Sequence, residues 1–394
     1  MLSRRLDVLG DGPFARIATL LDGIPPNPSK AVLDLSLGEP RHAFPDFVGD
    51  ILHENRALLG RYPPLRGTPE FRQAAAGWLN RRYALPQDFI DPDRNLVILS
   101  GSREGLFLIP QVVVPDPGSH PRAAALIPNP YYPAYAGAAV SAGAEPVFVD
   151  ADPAQGHMPD FAGLPTETLD RTAICYVCSP ANPQGTMAGA DYLEVLIRLA
   201  RKHDFLLAVD ECYADIYDST PPVGALEVCA NLGLGLDNLV VFHSLSKRSS
   251  VPGLRSGFVA GDARVIDAFV QLRGYAAASV SLPVQAASAA LWSDDDHVES
   301  ARQSYRDKFD LAERELAGKF EFYRPQAAMF LWLRTGDSEA AATALWQNAS
   351  LKVMPGGYLG NGDKHPGNDY VRLAMVTDMD STADALQRIN STLS

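Results

Sequence analysis

The sequence predicts an α/β protein: a large three-layer αβα domain built around a mostly parallel sheet, with a smaller α+β domain beside it. Between about residues 95 and 260, short apolar runs alternate with helical patterns, which is typical of buried parallel strands covered by helices on both faces. After residue 290 this alternation gives way to one long helical pattern, then to mixed strands and helices. A chain of 394 residues is long enough to form both units.

The large domain is expected to span residues 45–290. Ahead of its first strand, Thr68 and Pro69 are typical of an N-cap and a first helical residue. Helical patterns such as residues 192–203 separate the predicted strands. Those strands are short apolar runs, at residues 96–99, 124–127, 146–149, 174–178, 205–209 and 239–242.

The smaller domain is expected to combine residues 1–44 with residues 291–394. The segment Pro25-Pro26-Asn27-Pro28 is typical of an irregular arm, and the run at 32–37 predicts a strand ending in the turn Gly38-Glu39-Pro40. The C-terminal part predicts a helix at 298–319, strands at 327–333, 351–354 and 370–376, a helix near 339–348 and a final helix.

The charge balance limits the classes of partner. With 34 basic and 47 acidic residues the formal charge is −13, which argues against binding nucleic acid or an anionic membrane surface through bulk electrostatics. Arg4 and Arg5 are followed by polar residues and glycines rather than an apolar segment, so we expect no signal peptide. No apolar run approaches membrane-spanning length. We therefore expect a cytoplasmic protein without a membrane partner.

The cysteines predict neither a disulfide framework nor a metal site. Four cysteines are too few for a framework. Cys175 and Cys178 form a C-x-x-C pattern, but they lie on a predicted strand, where residues three apart face opposite sides of the sheet. A shared metal ion is therefore not expected.

Polar side chains follow several of the predicted strands. Just past strand ends lie Gly101-Ser102-Arg103, Asn182, Asp210 with Tyr213, and the segment 244–247. Each has an ordinary structural explanation: a turn at Asn182, a helix cap at Asp210, core packing at Tyr213. Because ligands of parallel sheets bind at the carboxyl ends of strands, their joint occurrence predicts a binding site there.

Lys247 is the residue around which this site is organised. It ends a core strand among serines, and Arg255 follows eight residues later. A poorly hydrated lysine has a lowered pKa and suits Schiff-base chemistry, while hydroxyls and a guanidinium suit a phosphate ester. The strand–loop–helix pattern at 99–105 is also typical of phosphate binding. The alternative is a surface turn in which Lys247 and Arg255 are merely solvated.

Together these residues resemble the class I/II aminotransferases of pyridoxal-phosphate fold type I, from Gly38 to Arg372. The Ser-x-Ser-Lys motif with an arginine eight residues on is the most specific feature. The resemblance implies that Lys247 forms the internal aldimine with pyridoxal 5′-phosphate and moves the proton between Cα and C4′. It implies that Asp210 pairs with the pyridinium nitrogen, and that Tyr213 and Asn182 hydrogen-bond O3′.

The resemblance also implies roles for other positions. Tyr132, rather than Tyr131, would stack on the ring. Arg372 would bind the substrate α-carboxylate, assisted by the backbone of Gly38. Tyr62 would reach the phosphate of a neighbouring subunit, so the resemblance implies a homodimer with shared active sites. The residues implied to surround the phosphate and its attachment point are Gly101, Ser102, Arg103, Ser244, Ser246 and Arg255.

Within this family the resemblance is strongest to the N-succinyl-diaminopimelate aminotransferases of lysine biosynthesis. The stretches that carry it are 35–42, 182–185, 211–217, 244–253 and 324–327. The implied reaction moves an amino group between glutamate and N-succinyl-2-amino-6-ketopimelate, reversibly and by a ping-pong route. The small-molecule partners would thus be an amino donor and a 2-oxo acid.

Arg41 is our candidate for a residue that binds a distal carboxylate. It lies just after the turn Gly38-Glu39-Pro40, close in sequence to the implied α-carboxylate site. The alternative is an ordinary surface arginine.

Other functions remain open at this stage. The same scaffold serves aminotransferases of the aspartate, alanine, aromatic and acetylornithine types, and also C–S lyases and decarboxylases. A non-catalytic regulator would need an added DNA-binding domain, for which the chain has neither room nor basic charge. A nucleotide-binding protein would need a G-x-G-x-x-G or G-x-x-x-x-G-K-[ST] loop, and would leave Lys247 unexplained.

Overall fold

The computed structural model describes residues 7–116, 122–276 and 279–393. The strands in this part of the chain are β1 (Leu33–Asp34), β2 (Leu96–Leu99), β3 (Ala124–Asn129), β4 (Glu145–Asp152), β5 (Met158–Pro159), β6 (Thr172–Cys178), β7 (Leu206–Asp210), β8 (Leu239–Ser244), β9 (Gly257–Gly261), β10 (Phe330–Arg334), β11 (Leu351–Lys352), β12 (Met354–Pro355) and β13 (Tyr370–Ala374).

The α-helices of the same part are numbered in chain order. They are α1 (Pro13–Leu20), α2 (Phe47–Glu54), α3 (Pro69–Tyr83), α4 (Ser102–Leu108), α5 (Pro110–Val113), α6 (Pro133–Ala142), α7 (Thr166–Asp170), α8 (Ala190–His203), α9 (Ala225–Asn231), α10 (Leu245–Arg248), α11 (Ala263–Ala276), α12 (Leu282–Ser293), α13 (Asp296–Leu316), α14 (Ser338–Ala349) and α15 (Met379–Leu393).

The main sheet has the strand order β2-β9-β8-β7-β6-β3-β4-β5. Neighbours from β8 through β7, β6 and β3 to β4 are parallel, whereas β9 is antiparallel to both β2 and β8. The carboxyl ends of β2, β3, β6, β7 and β8 therefore meet at one edge. This edge carries the residues that the sequence predicts for the site.

Helices cover both faces of this sheet, which confirms the predicted three layers. Alternate residues of the strands face opposite sides, as the period of two requires. In β2, for example, Leu96 and Ile98 pack in one core cluster with helices α3, α8 and α12, while Val97 and Leu99 pack in another with α4, α6 and α11. Because the strands are apolar on both faces, the sheet lies in the interior of the molecule.

A second, smaller sheet region lies outside the main sheet. Strands β10, β13 and β12 form an antiparallel sheet, and β1 pairs with β11 in parallel. A core cluster joins these strands to α13, α14 and α15, and it also includes Leu35, Tyr213 and Ile216. The α+β composition of the predicted smaller domain is thus present, while the boundaries at residues 44 and 290 stay a prediction.

Local signals predict some element ends and miss others. The Thr68 hydroxyl accepts a hydrogen bond from the Phe71 amide at 3.3 Å, so the predicted N-cap is confirmed. The strand predicted at residues 32–37 is shorter, since only Leu33–Asp34 pair with β11. Strand β9 is not predicted, because its terminal glycines, Gly257 and Gly261, make it look like a loop.

Within the described ranges, no helix is both long and apolar enough to cross a membrane.

Candidate active site

A cavity of about 770 Å³ opens at the carboxyl edge of the main sheet. It is lined by residues from strand ends that are far apart in the sequence. Of the predicted site residues, those that line it are Gly38, Ser102, Arg103, Tyr132, Asn182, Asp210, Tyr213, Ser244, Ser246, Lys247, Arg255 and Arg372.

Lys247 lies on the one-turn helix α10, directly after β8. The Ser244 hydroxyl caps this helix by accepting a hydrogen bond from the Ser246 amide at 3.2 Å. The Lys247 ammonium donates to the carbonyl oxygen of Gly38, and its Nζ lies 5.9 Å from the centre of the Tyr213 ring. Burial lowers the pKa of Lys247, which increases its fraction of nucleophilic amine near neutral pH.

Asp210 ends β7 and is 3% exposed. Its Oδ2 accepts a hydrogen bond from the Tyr135 hydroxyl at 2.8 Å, and its Oδ1 accepts one from the Cys212 amide at 3.3 Å. Burial raises the pKa of the Asp210 carboxyl. A cationic ring N–H placed in the cavity would give this buried carboxylate a directly bonded cation, which it does not have among the described residues.

Tyr135 is a site residue that the sequence pattern does not single out. It lies in the first turn of α6, is fully buried, and its ring stacks on Tyr176 with centroids 4.6 Å apart. One feature of the sequence could have indicated Tyr135 as a site residue. It follows Tyr132 by three positions, and residues three apart lie on the same face of a helix.

Gly101, Ser102 and Arg255 surround a small recess at the start of α4. Gly101 has φ +79°, and a Cβ atom at this position would overlap Nη2 of Arg255. Arg255 is itself held by the carbonyl oxygens of Ser100 and Pro252, each at 3.0 Å. The close approach of the Gly101 backbone and the Arg255 guanidinium therefore requires glycine.

The Arg103 side chain contacts Tyr132. Its Nε donates to the Tyr132 hydroxyl at 2.5 Å, and its guanidinium carbon lies 5.3 Å from the centre of the Tyr132 ring. Burial raises the pKa of Tyr132. The Arg103 side chain thus lies beside the Tyr132 ring, and the implied phosphate contact of the segment Gly101-Ser102-Arg103 stays a prediction.

Arg372, on β13, is a buried guanidinium at the opposite end of the cavity. It is 4% exposed, and it donates to Oδ1 of Asn182 at 2.9 Å and to the carbonyl oxygen of Ser36 at 2.6 Å. Its Nε has no hydrogen-bond partner among the described residues. Burial lowers the pKa of Arg372 to about 10. A carboxylate ligand would satisfy this cation.

At Gly38 the backbone approaches two side chains of the site. One is Lys247, and the other is Phe330, whose ring lies under the Arg372 guanidinium. A Cβ at Gly38 would lie 2.7 Å from the Phe330 ring, so a side chain would disturb this approach.

Arg41 and Tyr62 lie outside the cavity lining. The Arg41 guanidinium donates to the carbonyl oxygen of Asp34 at 3.3 Å, and the residue is exposed. Tyr62 is fully exposed. The geometry of a single chain therefore brings neither residue to Lys247.

The two C-x-x-C cysteines face different environments, as their strand position predicts. Cys178 lines the cavity, while Cys175 packs in the hydrophobic core on the other face of the sheet.

The residues of the cavity fit pyridoxal 5′-phosphate. They provide the Lys247 amine, the buried Asp210 carboxylate and the Tyr132 ring, together with serine hydroxyls and the Arg255 guanidinium, which suit a phosphate. When bound, this cofactor draws electrons from the substrate α-carbon into its ring.

Comparison with known proteins identifies the family. The family model described as aminotransferase class I and II matches residues 30–389. An LL-diaminopimelate aminotransferase of Desulforudis audaxviator is 30% identical over 370 residues, covering 92% of this chain and 90% of the relative. The 4-dedimethylamino-4-oxo-anhydrotetracycline transaminase OxyQ of Streptomyces rimosus is 32% identical over 359 residues, covering 91% and 93%.

Solved structures give the same result. An aminotransferase from Neisseria meningitidis has a TM-score of 0.95 and 38% identity, with 100% of each chain covered. Aminotransferase AspB from Helicobacter pylori has a TM-score of 0.90 and 34% identity, covering 97% of this chain and 98% of the other. Fold, enzyme class and cofactor are thereby confirmed, whereas the N-succinyl donor stays a prediction. This chain belongs to the class I and II aminotransferases and is a pyridoxal-phosphate-dependent transaminase of fold type I.

Proposed function

We propose that the residues of the cavity divide the work of transamination as follows. Lys247 would hold the cofactor covalently and, as a free amine, would accept the proton that leaves the substrate α-carbon. Asp210, held by Tyr135, keeps a proton on the ring nitrogen of the cofactor. Arg372 would bind the α-carboxylate through two parallel N–H···O hydrogen bonds, and this would orient the α-carbon toward Lys247.

Further residues hold the cofactor in this proposal. Tyr213 and Asn182 would donate hydrogen bonds to its phenolic oxygen, and Tyr132 would stack on its ring. The residues that would contact the phosphate, or that shape the loops around it, are Gly101, Ser102, Ser244, Ser246 and Arg255.

The amino donor that we propose is N-succinyl-LL-2,6-diaminopimelate, with 2-oxoglutarate as acceptor. Both partners carry an α-carboxylate for Arg372 and at least one carboxylate at the far end. The product would feed the diaminopimelate route to lysine.

The charge of the cavity lining is the observation that supports this donor. Its cationic side chains are Lys247, Arg255, Arg372 and Arg103, and the first three are used by the cofactor and the α-carboxylate. Arg103 is exposed, and only its Nε has a hydrogen-bond partner among the described residues, so its terminal nitrogens are available to a distal carboxylate. Among the described lining residues Asp210 is the only acidic one.

Unmodified LL-diaminopimelate is the second candidate, because curated relatives bear that name. Its distal end carries an ammonium as well as a carboxylate. In this cavity the ammonium would lie near Arg103 without an acidic partner, since Asp210 is held for the cofactor. Succinylation turns that ammonium into a neutral amide and adds a carboxylate, which suits the lining better.

The test is the half-reaction of cofactor-loaded protein with each donor, without acceptor, followed by the absorbance of the bound cofactor. We expect the N-succinyl donor to convert the cofactor with a kcat/KM roughly 10- to 100-fold above that of LL-diaminopimelate, the effect of about one charged hydrogen bond. Adding 2-oxoglutarate should restore the starting spectrum.

Three results would contradict the proposal. Equal or faster conversion by LL-diaminopimelate would reject the succinylated donor and leave the transaminase assignment intact. Reaction only with aspartate, alanine, aromatic amino acids or N-acetylornithine would assign another donor class. Release of carbon dioxide, or of a thiol with pyruvate and ammonia, would identify a decarboxylase or a C–S lyase.

We also propose that the chain works as a homodimer with shared active sites. Tyr62 and Tyr275 are 101% and 91% exposed, and Leu59 is 69% exposed. The packing of Leu65 against Gly274 brings the Tyr62 and Tyr275 segments together. Exposed aromatic and apolar side chains in one region are typical of a contact surface.

A further inference from the structure

Arg248, the residue after Lys247, is a buried guanidinium that does not line the cavity. It is 4% exposed. Its Nε donates to Oδ2 of Asp215 at 2.8 Å, and its Nη1 donates to the carbonyl oxygen of Leu291 at 2.7 Å. Its Nη2 donates to the carbonyl oxygen of Asp294 at 3.0 Å and to Oδ1 of Asp295 at 2.5 Å. Every nitrogen of this guanidinium therefore has an acceptor.

Asp215 connects Arg248 to the segment that carries Asp210 and Tyr213. It is 5% exposed, and its Oδ1 accepts from Nε of Arg82 at 3.1 Å. Burial alone would raise the pKa of the Asp215 carboxyl, but the guanidinium groups around it lower that pKa below its usual value. The carboxylate is thus ionised, and the ion pair joins the strand ends of β7 and β8.

The other partners of Arg248 lie at the junction between α12 and α13. Leu291 belongs to the last turn of α12, and Asp294 and Asp295 immediately precede α13. The first turn of α13 has a second link to the Lys247 loop, since His297 Nε2 lies 2.9 Å from the Ser249 hydroxyl.

Helix α13 extends from this junction into the second core. Its Phe309 and Leu316 pack in the same cluster as Leu373, the neighbour of Arg372 on β13. The junction that Arg248 holds is therefore continuous with the packing behind the proposed α-carboxylate site.

We propose that Arg248 is a positioning residue that fixes Lys247 relative to Asp210 and Tyr213, and that couples Lys247 to the junction of α12 and α13. This inference rests on the proposed role of Lys247. Helix α10 has only four residues, so its own hydrogen bonds contribute little to its orientation. The side-chain anchor of Arg248 therefore sets the direction in which Lys247 enters the cavity.

The test compares R248Q and R248K with the matched control R81Q in the cofactor-loaded protein. Arg81 also contacts this junction, at Oδ2 of Asp295 (3.1 Å) and at the carbonyl oxygen of Trp292 (3.0 Å), but it lies on α3 and is half exposed. Three quantities are measured: kcat and KM for glutamate, the pH midpoint of the cofactor's visible absorbance, and the thermal midpoint.

We expect R248Q to lower kcat by about 10- to 100-fold, because small misplacements of a reacting group have effects of that size. KM for glutamate should stay unchanged, since Arg372 is intact. The pH midpoint of the absorbance should shift by about one unit. R248K, which can still pair with Asp215, should fall between R248Q and the wild type, and R81Q should match the wild type in kcat and absorbance.

A lowered thermal midpoint with unchanged kcat and absorbance in both Arg248 variants would reduce Arg248 to a structural role. The variant R248Q also removes one partner of the buried Asp215 carboxylate, and this loss alone could lower stability. The double variant R248Q/D215N removes both charges of the ion pair, and it is therefore measured beside R248Q. The same loss of kcat is expected in this double variant. Failure of the wild-type protein to bind the cofactor through Lys247 would be a different result, since it would reject the proposed function itself.

Discussion

Arg103 and Arg41 are two exposed arginines with different positions relative to the cavity. Arg103 lines it and contacts Tyr132, whereas Arg41 contacts the carbonyl oxygen of Asp34 outside it. The sequence suggested Arg41 for the distal carboxylate because it is close to Gly38 in the chain. We propose Arg103 as a second candidate for this role, because it lines the cavity, while the role of Arg41 stays a prediction.

Replacement of these two arginines is therefore expected to have unequal effects. R103A should raise KM for the N-succinyl donor and for 2-oxoglutarate by roughly 10- to 100-fold, since a charged hydrogen bond is lost. R41A, the matched control, should change either KM by less than about twofold. Steady-state kinetics with alanine, which lacks a distal carboxylate, should show R103A close to the wild type. The opposite ranking would return the distal-carboxylate role to Arg41.

The pKa of Lys247 leads to a prediction about pH. Burial disfavours the ammonium, so the folded protein holds the neutral amine at a lower pH than a free lysine does. The rate at which the apo protein captures pyridoxal phosphate should therefore rise with pH and level off below pH 10.5, the ordinary lysine value. Stopped-flow absorbance measures this rate. K247A should show no capture, and a rate still rising at pH 10.5 would contradict the lowered pKa.

At the scale of elements, the loop between β2 and α4 contains one glycine, Gly101, that a residue with a side chain could not replace without disturbing Arg255. Gly101 has φ +79°, and a Cβ would overlap Arg255. Gly143, after α6, has φ +87° but no atom within 4 Å of its Cβ position. The two positions share a positive φ, but ψ is 157° at Gly101 and 3° at Gly143, and they differ in what a side chain would meet.

The variants G101A and G143A distinguish the effect of backbone strain on stability from the effect of the Gly101–Arg255 contact on cofactor binding. G143A should destabilise the apo protein by about 1–2 kcal/mol, because it places an L-residue in the left-handed region. G101A should destabilise it by at least as much, because φ +79° with ψ 157° is a conformation that glycine almost alone adopts. Only G101A should weaken pyridoxal phosphate binding, by roughly 10- to 100-fold, since Arg255 must swing away from Ser100. Thermal unfolding and cofactor titration measure the two effects. Equal cofactor affinities in the two variants would show that the recess does not hold the phosphate.

At the scale of the whole molecule, the exposed Tyr62 predicts that a second copy of the chain completes each active site. Size measurement in solution should give twice the 42.5 kDa mass of the chain. Y62F should weaken cofactor binding in each site, whereas K247A should abolish covalent capture.

Mixing subunits tests the sharing of sites directly. In a heterodimer of Y62F and K247A, one site contains Lys247 from the first chain and Tyr62 from the second. Random pairing of equal amounts should restore about 25% of wild-type sites. Activity no higher than the mean of the two parents, in a sample shown to contain heterodimers, would mean that Tyr62 does not act across subunits.

The sequence by itself determined the fold class, the order of the main strands along the chain and nearly half of the residues that line the cavity. These features are encoded locally: apolar runs of strand length, the cap at Thr68, and polar residues such as Asp210 and Lys247 that directly follow strands. A parallel sheet then brings its strand ends to one edge, so residues on separate strands can be predicted as neighbours.

Only the tertiary structure decided which side chains meet across long sequence separations. Arg372 contacts the carbonyl oxygen of Ser36, 336 residues away, and Tyr135 contacts Asp210, 75 residues away. Arg248 holds the α12–α13 junction, and Arg41 lies outside the cavity despite its proximity to Gly38 in sequence. The physical reason is that periodicity and capping specify elements, whereas the direction of each side chain depends on how those elements pack.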